Sequence, residues 1–261
     1  PFGAACEMLH NATLVHDDLQ DGDEVRRNQP TVWKKYGAAQ AITLGDAMFY
    51  WTLLLEQKLQ VPAVRREAAA RRILIETLRV IDGQEREVAL KSEEESGLAG
   101  YFRMVEGKTS GLFALPLAGA AEVLGAPRSV IEALAEAARH LGVLFQIQDD
   151  VLDLYGEKGR EMPGSDIGEG KRSARVMHAL ENGSDEDKKY LQMVLDLPRE
   201  ETTPEHVQEV AALLQRTGSL TFTLDEMQRR KEAALAVEGL QGQDKLLALV
   251  GGLAELFLEP I

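Results

Sequence analysis

The chain has 261 residues, 44% of them hydrophobic, enough for one large domain with a substantial core. A formal charge of −14 argues against nucleic acid or an anionic membrane surface as the main partner. One cysteine, Cys6, excludes an intrachain disulfide and fits a reducing cytoplasm, and no apolar run reaches the length of a membrane span. Cys6 reads as a small buried apolar residue. The chain opens on an apolar helix with no initiator methionine, so an N-terminal portion with further helices is expected to be missing.

Strand signals are nearly absent, whereas helical periodicity recurs throughout. A first helix runs into the stretch H-N-A-T-L-V-H-D-D-L-Q-D-G-D-E-V-R-R, from His10 to Arg27. Gly37 precedes a helix over about 39–59, and Pro62 suits the start of one reaching about Leu90. Lys91 to Gly97 reads as a polar loop, and Lys108 as the start of the helix that follows it. Gly125 and Pro127 separate two helices, the second of which ends in F-Q-I-Q-D-D-V-L-D, from Phe145 to Asp153. A glycine-bearing loop over 156–170 leads to Lys171 and a short helix. Ser184 and Thr203 are expected N-caps, and Gly218 and Gly242 delimit the last two helices. The expectation is one all-α domain over 1–261, a bundle of about ten helices.

Residues four apart share a helix face, so Asp17 and Asp21 point the same way with Asp18 beside them. Clustered carboxylates repel unless a cation sits among them, and Mg2+ is shared between one or two carboxylates and substrate phosphates. Arg26 and Arg27 suit phosphate oxygens. An acidic cluster alone reads more readily as a solvated face. The second copy, Asp149, Asp150 and Asp153, flanked by Val151, Leu152 and Ile147, changes that reading. Two such clusters look like two walls of one cavity clamping metal ions.

Smaller signals surround these. Lys108 after Gly107 suits a phosphate role, Gln146 lies nearly on the face of Asp149, and His10 is two turns before Asp17. His16 reads as a packed neighbour of Asp17. The 164–171 segment G-S-D-I-G-E-G-K fails as a nucleotide phosphate loop, because Ser165 and Arg172 stand at its defining positions. Lys171 can still reach a phosphate. The histidines form no H-E-x-x-H, which leaves a zinc hydrolase unsupported, and the single Glu-x-x-His, Glu7 to His10, lacks the second copy that a di-iron bundle requires.

H-N-A-T-L-V-H-D-D-L-Q-D, V-R-R-N-Q-P-T, G-K-T, F-Q-I-Q-D-D-V-L-D and G-S-D-I-G-E-G-K resemble, in order, the trans-isoprenyl diphosphate synthases of the polyprenyl synthetase family. The resemblance implies an all-α bundle around a central cavity, a homodimer, and Mg2+-dependent condensation of an allylic diphosphate with isopentenyl diphosphate. It implies that Asp17, Asp18, Asp21, Asp149, Asp150 and Asp153 hold a cluster of about three Mg2+ ions on the allylic diphosphate. Arg26 and Lys108 would contact that diphosphate, Arg27 and His10 that of isopentenyl diphosphate. Gln146 and the backbone around Lys108 and Thr109 would face the developing carbocation.

Three departures stand out. The family's N-terminal Gly-Lys-Arg segment is absent; Glu161 replaces a lysine for which Arg160 or Lys158 would have to substitute; and Asn28 replaces a glycine after the arginine pair. Thr13, Ala12, Leu9 and Met8 are expected to line the cavity below Asp17. The small Ala12 and Thr13 leave it open, which points to a product longer than farnesyl, geranylgeranyl or a longer polyprenyl, unless Phe49, Tyr50 and Trp51 set the floor. A terpene cyclase would carry N-D-x-x-S-x-x-x-E at the second motif, and a regulatory subunit would have lost aspartates. Neither holds here.

Overall fold

The computed structural model describes residues 1–90, 97–155 and 164–258. Their regular structure is thirteen α-helices, one two-stranded hairpin and short 3-10 turns. Three features raise the number above the expected ten. α2 (Val32–Tyr36) and α8 (Ser165–Gly168) are too short to carry a periodic signal, and Thr109 ends α5 (Leu98–Lys108) just before α6 (Ser110–Leu124). Lys108 therefore closes a helix instead of opening one, at the end where the macrodipole favours a cation. The chain divides into two compact units, residues 1–78 with 114–135, and residues 79–113 with 136–261. No described helix is long and apolar enough to cross a membrane.

In the first unit α1 (Phe2–Asp21) packs along α3 (Ala38–Glu56). α1 buries Phe2, Ala5, Leu9 and Ala12 at helical spacing, and α3 presents the small Ala41 and Gly45. A fully buried leucine such as Leu9 contributes roughly 2 kcal/mol through area removed from water. Gly45 is needed for contact, since a Cβ there would lie 2.1 Å from Nε2 of His16. His16 is thus the packed neighbour expected, with Nε2 3.2 Å from the Ile42 carbonyl oxygen and its ring tilted against Phe49. The opposite face of α3 is bare: Ile42, Tyr50, Trp51 and Leu54 are all exposed. Arg72 on α4 (Ala63–Ala89) pairs with the buried Glu76 and with Glu122 of α6.

The second unit centres on α7 (Arg128–Tyr155). Two glycine contacts bring backbones together. A Cβ at Gly83 would sit 2.0 Å from the Lys108 nitrogen, and one at Gly142 2.5 Å from the Ser110 Cα. Phe113, Phe145 and Phe257 form a triangle of tilted and edge-on rings. Around α9 (Ala174–Asn182), α10 (Asp185–Leu195) and α11 (Pro204–Arg216), Val176, Leu191, Val194, Val210 and Leu213 form a core. The expected caps are present: Ser184 accepts from the Asp187 N–H, and Thr203 builds a reciprocal box with His206. α12 (Ser219–Ala236) and α13 (Asp244–Leu256) complete the chain, starting after Gly218 and Gly242 as expected.

Candidate functional site

Asp17, Asp18 and Asp21 occupy the last turns of α1, where the negative end of the macrodipole disfavours carboxylates and favours a cation among them. Gly22 stops the helix in the left-handed region, its N–H donating to the Asp18 carbonyl. The chain then turns through β1 (Val25–Arg26) and β2 (Gln29–Pro30). The two-residue turn places Arg27 and Asn28 at φ 52° and 60°, so Asn28 occupies a conformation that asparagine and glycine both accept. That is the local reason this chain dispenses with glycine there. Trp33 Nε1 and Thr31 Oγ1 both donate to the Asp23 carbonyl, at 2.7 and 2.8 Å, and fix the hairpin's entry.

From this hairpin Arg26 Nε donates to Asp18 Oδ1 at 2.6 Å. Burial pushes the Asp18 carboxyl up, and the Arg26 bond opposes the shift. Asp17 and Asp21 are only half-buried, so the structure separates them from Asp18, which faces the protein. Arg27 is exposed at the turn. His10 is half-buried, and its imidazole is held below its usual pKa by burial first, with Glu7 opposing and Arg27 and Arg26 adding to the lowering. His10, Arg26 and Arg27 therefore share one electrostatic neighbourhood. Ala12 and Leu9 are buried in the α1 stripe, whereas Thr13 and Met8 keep part of their surface.

The second motif ends α7 in the same way, with Asp149 half-buried and Asp150 and Asp153 buried. Asp150 accepts from Tyr101 Oη at 2.7 Å on Oδ2 and from Gln146 Nε2 at 3.0 Å on Oδ1. Its carbonyl accepts from the buried Arg175 guanidinium. Burial, with Asp166 nearby, pushes the Asp150 carboxyl up to about 6 against the Gln146 and Tyr101 bonds. Both oxygens of Asp150 thus serve protein donors. Gln146 Oε1 accepts from Thr109 Oγ1 at 2.7 Å. Lys108 Nζ reaches Glu87 at 2.5 Å. Asp153 Oδ2 accepts the Asp166 N–H at 3.1 Å, while Lys171 Nζ lies 3.3 Å from Asp166 and 3.0 Å from Glu169. The substitutes expected for a lost lysine, Lys158 and Arg160, and Glu161 itself lie outside the described residues.

Sequence reasoning missed Tyr101, Glu87, Asp166 and Arg175. Tyr101 was reachable, because it lies two turns before Lys108 on the same helix face, and Asp166 stands inside a quoted segment. Glu87 and Arg175 carry no local signal. Among the described residues no three His, Cys, Asp or Glu side chains converge into a closed metal centre. Half-buried carboxylates at two helix C-termini still fit Mg2+, which takes oxygen donors and relies on substrate phosphates for the rest.

Residues 1–214 match the family described as polyprenyl synthetase. A (2E,6E)-farnesyl diphosphate synthase of Mycobacterium bovis is 35% identical over 88% of this chain, which spans 64% of that relative's length. A geranylgeranyl diphosphate synthase of Saccharolobus solfataricus is 34% identical over 91% of the chain and 71% of its own length. The crystal structure of a polyprenyl synthetase from Streptomyces coelicolor superimposes with a TM-score of 0.89 at 31% identity, covering 98% of this chain and 78% of that one.

Proposed function

The chain belongs to the polyprenyl synthetase family, and from that premise we propose that it elongates prenyl chains, condensing an allylic diphosphate with isopentenyl diphosphate and releasing diphosphate. The observation that carries this reading is the doubled helix end: two D-D-x-x-D motifs, each with a buried middle aspartate anchored to a neighbouring side chain. Asp17, Asp21, Asp149 and Asp153 are assigned to Mg2+, and Asp18 and Asp150 to anchoring. Bound Mg2+ would neutralise charge on the departing diphosphate.

Arg26, fixed by Asp18, is set to bind allylic diphosphate oxygens; Lys108 joins it once its ammonium exchanges Glu87 for phosphate. His10 and Arg27 are assigned to the isopentenyl diphosphate, and Lys171 to a diphosphate oxygen. Gln146 Oε1 and Thr109 Oγ1, joined at 2.7 Å, are assigned to face the developing carbocation, which oxygen dipoles favour and cations would not. The product is taken to be geranylgeranyl or longer, because Thr13 and Met8, the residues of the α1 wall with open surface, include no aromatic plug. Thr13→Phe should shorten it. The protein is taken to work as a cytoplasmic homodimer, with Ile42, Tyr50, Trp51 and Leu54 as the apolar face a second copy would cover. Tyr50→Glu should then favour monomer in sedimentation.

The test is Mg2+-dependent diphosphate release with isopentenyl diphosphate plus geranyl, farnesyl or geranylgeranyl diphosphate, products sized by mass spectrometry. Release that requires both substrates, with products growing in five-carbon steps, supports elongation. Release from the allylic substrate alone contradicts it.

A further inference from the structure

Resting on the elongation reading, we infer that Tyr101 is a positioning residue for the condensation: its phenol holds Asp150, Asp150 orients the Gln146 amide, and Gln146 takes the hydroxyl hydrogen of Thr109. The direction of every bond in this chain follows from what each group can donate. Tyr101 is 1% exposed, and for packing alone a phenylalanine would serve. Its oxygen instead donates to Asp150 Oδ2 at 2.7 Å. An ionised carboxylate only accepts, so Gln146 turns its NH2 towards Oδ1, at 3.0 Å. That choice fixes the amide flip and leaves Oε1 for Thr109, at 2.7 Å.

Threonine has one hydroxyl hydrogen, and here Gln146 uses it. Any further partner of Thr109 Oγ1 must therefore meet an acceptor, the polarity a developing cation favours. Bonds aligned head to tail also polarise one another. Without the phenol hydroxyl, Asp150 Oδ2 would be unpaired in a buried site, and the carboxylate would turn or draw in water. The amide would then lose the constraint on its flip. Tyr101 touches no reacting atom in this scheme and acts only through Asp150 and Gln146.

The experiment is a double-mutant cycle on the full chain with Mg2+, reading the single-turnover rate of the first condensation at saturating substrates. The proteins are wild type, Tyr101→Phe, Gln146→Leu and the double variant, each with its diphosphate affinities and melting curve. Each single substitution should slow the step about tenfold, with affinities for both diphosphates within about twofold of wild type. The double variant should be no slower than Gln146→Leu. Multiplying effects, or a slowdown that follows lost diphosphate affinity, would overturn the inference. If Tyr101→Phe does not fold, Gln146→Leu alone decides: the same slowdown is expected, and a wild-type rate overturns it. A wild type that never extends the allylic chain overturns the elongation reading and this inference with it. A wild type that elongates while the cycle is additive overturns this inference only.

Discussion

At the end of α1 the buried Asp18 is held by one guanidinium, Arg26, which reaches in from a hairpin and is itself 32% exposed. At the end of α7 the equally buried Asp150 is held by two neutral donors, Tyr101 and Gln146, with Arg175 on its carbonyl. The two motifs have the same spacing of aspartates and differ in what satisfies the middle one. An ion pair reaching solvent tolerates rearrangement, because water can replace either partner. A sealed network of neutral donors does not, because each lost partner leaves a buried group unsatisfied. The first motif's anchor is itself a diphosphate contact in the reading above, whereas the second motif's anchor serves the orientation of Gln146.

The largest expected effect probes the backbone that supports the second motif. Gly83→Ala would put a Cβ 2.0 Å from the Lys108 nitrogen, and backbone must shift; about 3 kcal/mol of stability should be lost in urea denaturation. Gly45→Ala beside the first motif meets the His16 side chain first, which can give more readily than backbone, so about 1 kcal/mol is expected.

Asp150→Asn separates stability from activity. Because burial raises the folded carboxyl to about 6, above its unfolded value, the folded state binds that proton more tightly. Its contribution favours folding at low pH and is lost as pH rises through about 6, a difference of up to roughly 3 kcal/mol. In EDTA near neutral pH the variant should therefore melt no lower than wild type, and its advantage should fade below about pH 4. Yet an asparagine accepts on one side only, so it cannot hold both the Tyr101 hydroxyl and the Gln146 amide as acceptor, and the first condensation should slow about tenfold or more.

Arg26→Gln should cost about 1 kcal/mol, since Asp18 loses its cation at a partly solvated site, and should weaken allylic diphosphate binding about tenfold. Isothermal titration with a non-hydrolysable analogue reads the second effect. The smallest change is expected for Asn28→Gly, within about 0.5 kcal/mol by thermal melts, because both residues accept a φ of 60°.

The helices and both aspartate motifs were legible because periodicity and i, i+4 spacing are local. The anchoring of Asp18 and Asp150 was not, since Arg26 and Tyr101 reach them only after a hairpin and a helix crossing have formed. The place of Lys108 was misread for a related reason. Gly107 resembled a helix boundary, but it serves the close approach to Gly83, and the break falls at Thr109. Ala12 pointed to an open wall by its size, and the sequence alone does not display that it is fully buried. Short elements such as α2 and the hairpin rest on tertiary contacts, Trp33 to Asp23 among them, that no window of sequence displays.

The most direct test of the division of labour within each motif is the Mg2+ concentration giving half-maximal condensation for Asp17→Asn, Asp18→Asn, Asp149→Asn and Asp150→Asn. The account predicts that Asp17→Asn and Asp149→Asn raise it about tenfold or more, while Asp18→Asn and Asp150→Asn leave it near the wild-type value and lower the maximal rate. Equal shifts in all four would contradict it.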